Sequence, residues 1–447
     1  MRAITDDVDT DRGPPVAVPL QHVLLAVALL LVGQLLASAT VTEPVGLSEL
    51  ALRHLFLAGF VGVTIMGAMT QFVPVWSGVS LYSRRLSVLQ VWLVVAGLLG
   101  FVAAFLTVEL AMLHVAGTLL VAGFWVFVYN VARTLARARP FDVTEIHFVI
   151  ALGAFLVLTL LGYLLSLDYT MVLFGDLAIT RVGVASAHAT IAVFGAVLLT
   201  VVGALYQLAE MFTQADDDRV DRAIKRVELL AYPVGVGLLS VGRLLGETVL
   251  AQVGVVLVVG SLALVGVFLA RKLLRAQTEL SPVLLRYAVV AVALLGWAAL
   301  TLPTWLADPT DRLTVLGSAA SEPLLLLGVL GFVVFGTLYH IVPFLIWVRT
   351  YSDKIGYEPV PMVEEMYDPR LARADFVLLL AGTIGQVAVA AVDAPTIALQ
   401  AATLLFGAGV AVLAVNLTLT VHRHSTHSLV SLLWPSLSLG SDADVAE

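Results

Sequence analysis

The sequence predicts an all-α integral membrane protein of about 12 transmembrane helices, built as three consecutive four-helix units. Three observations carry this expectation. Sixty per cent of the 447 residues are hydrophobic and 13% are charged, with a mean hydropathy of +1.00, more apolar sequence than a soluble core can use. Apolar runs of the roughly 20 residues needed to cross a bilayer recur along the chain. One eight-residue phrase returns three times, as GAMTQFVP (Gly67 to Pro74), GALYQLAE (Gly203 to Glu210) and GTLYHIVP (Gly336 to Pro343), with the glycines 136 and 133 residues apart. Such even spacing points to a repeated architecture.

Read in order, the spans fall near 20–41, 50–75, 86–107, 111–136, 144–166, 182–212, 228–247, 251–274, 284–305, 320–348, 374–392 and 396–420. Turn-formers and charges separate them: Gly78 with Arg84 and Arg85, Pro140, the run Asp216-Asp217-Asp218, Asp308-Pro309, and Pro395. Only a few residues join the third and fourth spans, which predicts a tight hairpin. The expected organisation is a tail over 1–19, one membrane domain over 20–420 (units 20–136, 144–274 and 284–420), and a second tail over 421–447. The opening MRAITDDVDTDRGPP is acidic and polar, with no cationic start leading directly into a cleavable apolar segment, so no signal peptide is expected. The absence of cysteine excludes disulfides, thiolate metal sites and cysteine nucleophiles. With a formal charge of −8, no nucleic-acid partner is expected.

Cationic loops are retained on the cytoplasmic side. With the N-terminus inside, twenty Arg and Lys residues face the cytoplasm, against four (Arg53, Arg181, Arg243 and Arg312) at the outer side. Both termini are therefore expected in the cytoplasm, with the chain a multi-pass protein of the cytoplasmic membrane. The three repeat phrases then close the second, sixth and tenth helices, all running outside to inside. Their glycines would let helices approach closely.

Nine histidines supply the softer metal-ligand chemistry. His54, His114 and His188 begin even-numbered helices near the outer face. His22 and His147 begin odd-numbered helices at the inner face, and His340 ends the tenth helix there. His422, His424 and His427 are expected to form a solvated tail. His54 and His188 head long apolar helices, 13 and 15 residues before the shared glycine, or about 20 Å along a helix. An imidazole buried in a helical bundle is an axial ligand for haem iron. The competing reading, an interfacial histidine that caps a carbonyl, is preferred for His114, His22 and His147. His340 is the counterpart of Gln71 and Gln207. It reads as structural, in a converging polar plug, or as an inner metal site.

Twelve helices with both ends inside, three repeated arcs, and a histidine opening helix two in H-x5-F-x6-G style resemble subunit I of the haem–copper oxidase superfamily. The similarity is closest to cbb-type and nitric-oxide-reductase-like members, on SAHATIAVFGAVLLTVVGALYQL and GVLGFVVFGTLYHIVP. It covers nearly the whole chain in topology, on short motifs. Arg53-His54 through Pro74, Trp76 and Gly78 is also similar to nitric-oxide-responsive twelve-helix haem and copper membrane proteins of denitrifiers. The resemblance implies a low-spin haem ligand at His54 and a copper or non-haem iron ligand at His188. The family's histidine pair in helix seven is missing from ELLAYPVGVGLLSVGRLLGE, and its H-x-H in helix ten from SAASEPLLLLG.

What then remains is one haem of b type, six-coordinate between His54 and His188 or five-coordinate on either alone, with copper as the lesser alternative, in electron transfer or nitric oxide and oxygen handling rather than proton-pumping oxygen reduction. Arg53, Arg181 and Arg243 would meet the propionates, or else anchor the interface. Membrane lipid, an outer electron donor (a cytochrome or cupredoxin) and a partner membrane subunit are the implied partners. The alternatives are a cofactor-free transporter, and a scaffold or assembly subunit with the long loop YSDKIGYEPVPMVEEMYDPRLARAD for docking. Few mid-membrane acids and no broken helix pair beyond Pro233 argue against transport. No acid–base–nucleophile set assigns catalysis.

Overall fold

The computed structural model describes residues 16–174 and 179–433. Twelve long apolar helices cross it: α1 Ala17–Thr40, α2 Ser48–Ser77, α3 Arg84–Thr107, α4 Met112–Leu135, α5 Val143–Met171, α6 Arg181–Thr213, α7 Arg219–Leu245, α8 Thr248–Leu274, α9 Pro282–Ala307, α10 Ser321–Thr350, α11 Pro369–Val392 and α12 Thr396–His424. Each expected span has its helix, and the described residues contain no strand. The chain is a multi-pass membrane protein.

The helix ends differ from the hydropathy reading for a local reason. Ser83, Asp142, Thr180, Asp218, Ser281 and Asp368 cap the starts of α3, α5, α6, α7, α9 and α11 by accepting first-turn N–H groups. These caps sit in polar sequence, so α7 begins at Arg219, well before the apolar run at 228. At the other terminus α12 runs on through His422 and His424, and Tyr351 bonds His424 Nδ1 at 2.9 Å. Those two histidines are therefore helical rather than part of a loose tail. A short segment, Leu429–Leu433, folds back onto α1, where Gln21 Nε2 donates to Leu433 O. Most of both expected tails lies outside the described residues.

Three helices form the centre. α2, α6 and α10 are the most enclosed of the long helices, and they meet one another: α2 with α6, α2 with α10 through Phe60 and Phe335, and α6 with α10 through Phe212 and His340. The other nine helices surround them in chain order, and α12 closes the ring against α1.

The repeat is structural. α2, α6 and α10 each change to the wider π-helical turn over Leu55–Gly62, Ile191–Val197 and Leu324–Gly331. Each change starts twelve residues before the repeat glycine. A Cβ on Gly67 would lie 2.5 Å from His22 Cβ, one on Gly203 2.7 Å from His147 Cβ, and one on Gly336 3.2 Å from Arg286 Cβ. Glycine thus lets the second helix of each unit rest on the first.

Buried polar groups clamp the end of the bundle where α1 begins and α12 ends, here the terminal end. Asn130 holds Ser83 through both its backbone N–H and C=O, and Asn416 holds Asp368 in the same way. In the second unit His147 Nε2 bonds Glu228 at 3.0 Å and Tyr206 donates to the same carboxylate at 2.8 Å. In the third, Arg286 and Tyr339 both donate to Asp375. His22 and His147 are fully buried, each bonded through Nδ1 to a carbonyl of its own helix. Both rings are thus enclosed by neighbouring protein rather than exposed.

Candidate functional site

A cavity of about 550 Å³ lies between the first and second units, walled by α2, α3, α4, α5 and α6. It occupies the end of the bundle opposite the terminal end. His54 and His188 both line it. His54 immediately precedes the π segment of α2, and His188 stands just before that of α6. Single-turn π widening is frequent at functional sites because it breaks the regular side-chain register.

Each imidazole is held from behind. His54 Nδ1 lies 2.7 Å from Leu50 O, and His188 Nδ1 lies 2.8 Å from Leu158 O in the neighbouring helix α5. A carbonyl oxygen can only accept, so Nδ1 is the donor in both rings, and Nε2 carries the lone pair of a neutral imidazole. Among the described residues neither Nε2 has a hydrogen-bond partner. Phe101 and Phe105 flank His54 with ring centroids 5.4 and 5.5 Å away. Gly162 makes room for His188, since a Cβ there would lie 2.8 Å from Cε1.

The cavity is amphipathic along its length. Its mouth carries Arg53, Arg181 and Arg312, and its body is lined by Leu57, Leu120, Phe124, Phe155, Val193 and Val197. From Arg181 to Val197 the helix rises roughly 20 Å, so the space is a slot parallel to the bundle. Arg53 pairs with Glu49 at 2.8 Å and with Glu322 of α10 at 3.2 Å. Arg181 donates to Asp168 at 2.6 Å and lies 4.0 Å above the Tyr169 ring. Arg312 has no carboxylate partner among the described residues.

Four of the residues singled out from sequence, His54, His188, Arg53 and Arg181, therefore share one cavity. Arg243 does not line it. Its side chain is buried and donates to Pro309 O, Val315 O and Thr190 Oγ1, 4.5 Å above the Trp305 ring. Its rotation about α7 turns it toward the space between the second and third units. Arg312, read from sequence only as an outer cation, stands at the mouth instead. His340 lies at the terminal end between Phe212 and Phe344. The polar plug is not formed, because no hydrogen bond joins Gln71, Gln207 and His340 among the described residues. Gln207 turns instead to Asp142, just ahead of α5. His114 Nε2 bonds Thr170 Oγ1 at 2.9 Å, a local tie between α4 and α5.

The pseudo-equivalent space between the second and third units is filled. With Arg286 as the counterpart of His147, the cavity residues Leu158, Gly162 and Ser166 of α5 correspond to Trp297, Thr301 and Trp305 of α9. Both indoles are fully buried and pack on Phe194 and on each other at 5.5 to 5.6 Å.

Among the described residues no three His, Asp or Glu side chains converge. A haem iron asks the protein for only one or two axial ligands. The fold and the site define a pseudo-threefold, multi-pass membrane protein whose amphipathic cavity carries two tethered imidazoles. No protein-family model matches the chain, and no curated protein matches it.

Proposed function

We propose that the cavity binds one haem of b type, which His54 and His188 would hold through Nε2. In this reading the protein is a divergent relative of haem–copper oxidase subunit I, serving electron transfer or nitric oxide and oxygen handling. One observation carries the reading: two Nε2 lone pairs, each fixed by an Nδ1–carbonyl bond, line a single slot. A hydrogen bond to a carbonyl behind a ligating imidazole sets its tautomer and raises its basicity. The volume falls within the range of roughly 300–1,000 Å³ usual for cofactor sites. The apolar body suits a porphyrin edge, and Arg53, Arg181 and Arg312 suit its propionates. The group would supply one-electron chemistry, while the protein supplies orientation and a dry surround.

Two protein ligands favour electron transfer, and gas binding requires one imidazole to leave. The arginine distribution supports a cytoplasmic-membrane protein with its termini in the cytoplasm. The cavity mouth would then face an outer cytochrome or cupredoxin, with a second membrane subunit as a further partner. The carboxylates already paired with Arg53 and Arg181 favour the competing reading of a cofactor-free transporter or scaffold.

A reduced-minus-oxidised spectrum with a pyridine haemochrome assay separates the two. Purified protein is expected to carry one haem, lost in His54→Ala and lost or converted to a high-spin form in His188→Ala. A colourless protein after haem supplementation would overturn the proposal.

A further inference from the structure

The buried clamps at the terminal end differ in one unit. The second unit uses His147, Glu228 and Tyr206, and the third uses Arg286, Asp375 and Tyr339. In the first unit His22 takes the first place, against Gly67. Thr70 takes the tyrosine's place, three residues beyond the repeat glycine.

Gln90 takes the carboxylate's place, and the packing of α4 on α3 establishes this independently. A Cβ on Gly123 would lie 2.9 Å from Val94 N, and one on Gly409 2.8 Å from Leu379 N. Each glycine stands seven residues before the asparagine that holds the third helix's cap. Val94 therefore matches Leu379, and Gln90, one turn earlier, matches Asp375.

His22, Thr70 and Gln90 are all fully buried. His22 Nδ1 donates to Val18 O at 2.8 Å, which leaves Nε2 an acceptor. Thr70 spends its hydrogen on Gly67 O. His22 Nε2 and both polar atoms of the Gln90 side chain have no partner among the described residues. A threonine in place of a tyrosine also removes a phenol ring from the space between them. Unpartnered buried polar atoms and a side chain smaller than the tyrosine of the other units are what a buried water requires.

We propose that the first unit binds an ordered water where the other units hold a carboxylate. The water donates to His22 Nε2 and to Thr70 Oγ1, and accepts from Gln90 Nε2. The first unit's clamp then contains no carboxylate, unlike the other two. This inference is independent of the haem reading.

A cryo-EM map of the wild-type protein in lipid nanodiscs, at a resolution that shows ordered waters, tests it. A peak is expected about 2.7–3.2 Å from both His22 Nε2 and Gln90 Nε2. A direct His22–Gln90 hydrogen bond, or a side chain filling the space, would overturn the proposal. Thermal melting gives a second readout. Gln90→Leu is expected to lower the midpoint, and His22→Leu with Gln90→Leu to recover most of that loss, because no polar group is then stranded. Equal midpoints for the single and double variants would count against the water.

Discussion

Arg243 Nη1 donates to Thr190 Oγ1 at 2.8 Å, and Thr190 stands 13 residues before Gly203, the place His54 holds before Gly67. Where the first unit offers an imidazole to an open slot, the second offers a hydroxyl to a buried guanidinium. Trp297 and Trp305 occupy the rest of that second space. Two pseudo-equivalent compartments have thus taken opposite courses, one filled by protein and one left open.

The aromatic filling makes the second compartment a source of stability. Trp305→Ala removes a fully buried indole and leaves Arg243 without its ring partner. It is expected to cost about 3–5 kcal/mol, read as a lowered thermal midpoint in nanodiscs. A midpoint within a degree of wild type would mean that the compartment collapses without loss.

Gly162 tests the open compartment. Gly162→Val drives a side chain into the His188 ring and, under the haem proposal, is expected to turn the low-spin spectrum high-spin or to lower haem content. Gly153→Val on the same helix meets nothing within 4 Å of its Cβ and serves as the control. Identical spectra for the two variants would place His188 outside the ligand set.

The third unit's clamp holds a fully buried ion pair, Arg286 with Asp375. Asp375→Ala strands the guanidinium and is expected to destabilise the protein by about 3–5 kcal/mol. The double variant Arg286→Met with Asp375→Leu is expected to recover most of the loss. Denaturation of all three forms in one detergent decides it, and a double variant as weak as the single would show that the pair itself is stabilising.

Acid sensitivity should reside in the loop between α6 and α7. Burial favours the neutral form of Asp217, but the adjacent Lys225 and Lys272 outweigh it and hold its carboxyl below the usual range. A depressed folded-state value means that its contribution is present above the unfolded value of about 3.9 and is lost as pH falls through the folded one. The wild-type midpoint should therefore fall more steeply below about pH 4 than that of Asp217→Asn. Parallel curves would assign the acid limb to another group.

The helices were legible because a bilayer-spanning segment announces itself by length and hydropathy. Two starts were not, since Asp218 and Asp368 cap α7 and α11 from polar sequence that hydropathy assigns to loops. The repeat was legible from Gly67, Gly203 and Gly336, although the sequence does not say that each glycine rests on His22, His147 or Arg286. Arg243 and Arg312 show the limit best. Both read as cations at the same end of the bundle, yet one is sealed behind Trp305 and the other stands at the cavity mouth.

The sequence by itself determined the class of protein, the number and order of its helices and their threefold repetition, because all three follow from apolar length and spacing along the chain. The tertiary structure decided that His54 and His188 share a cavity, that the neighbouring compartment is plugged, and that Arg243 turns away. A membrane helix is apolar around much of its circumference, since lipid and core ask for the same side chains. The direction a residue faces is therefore settled only when five helices pack and leave a space between them.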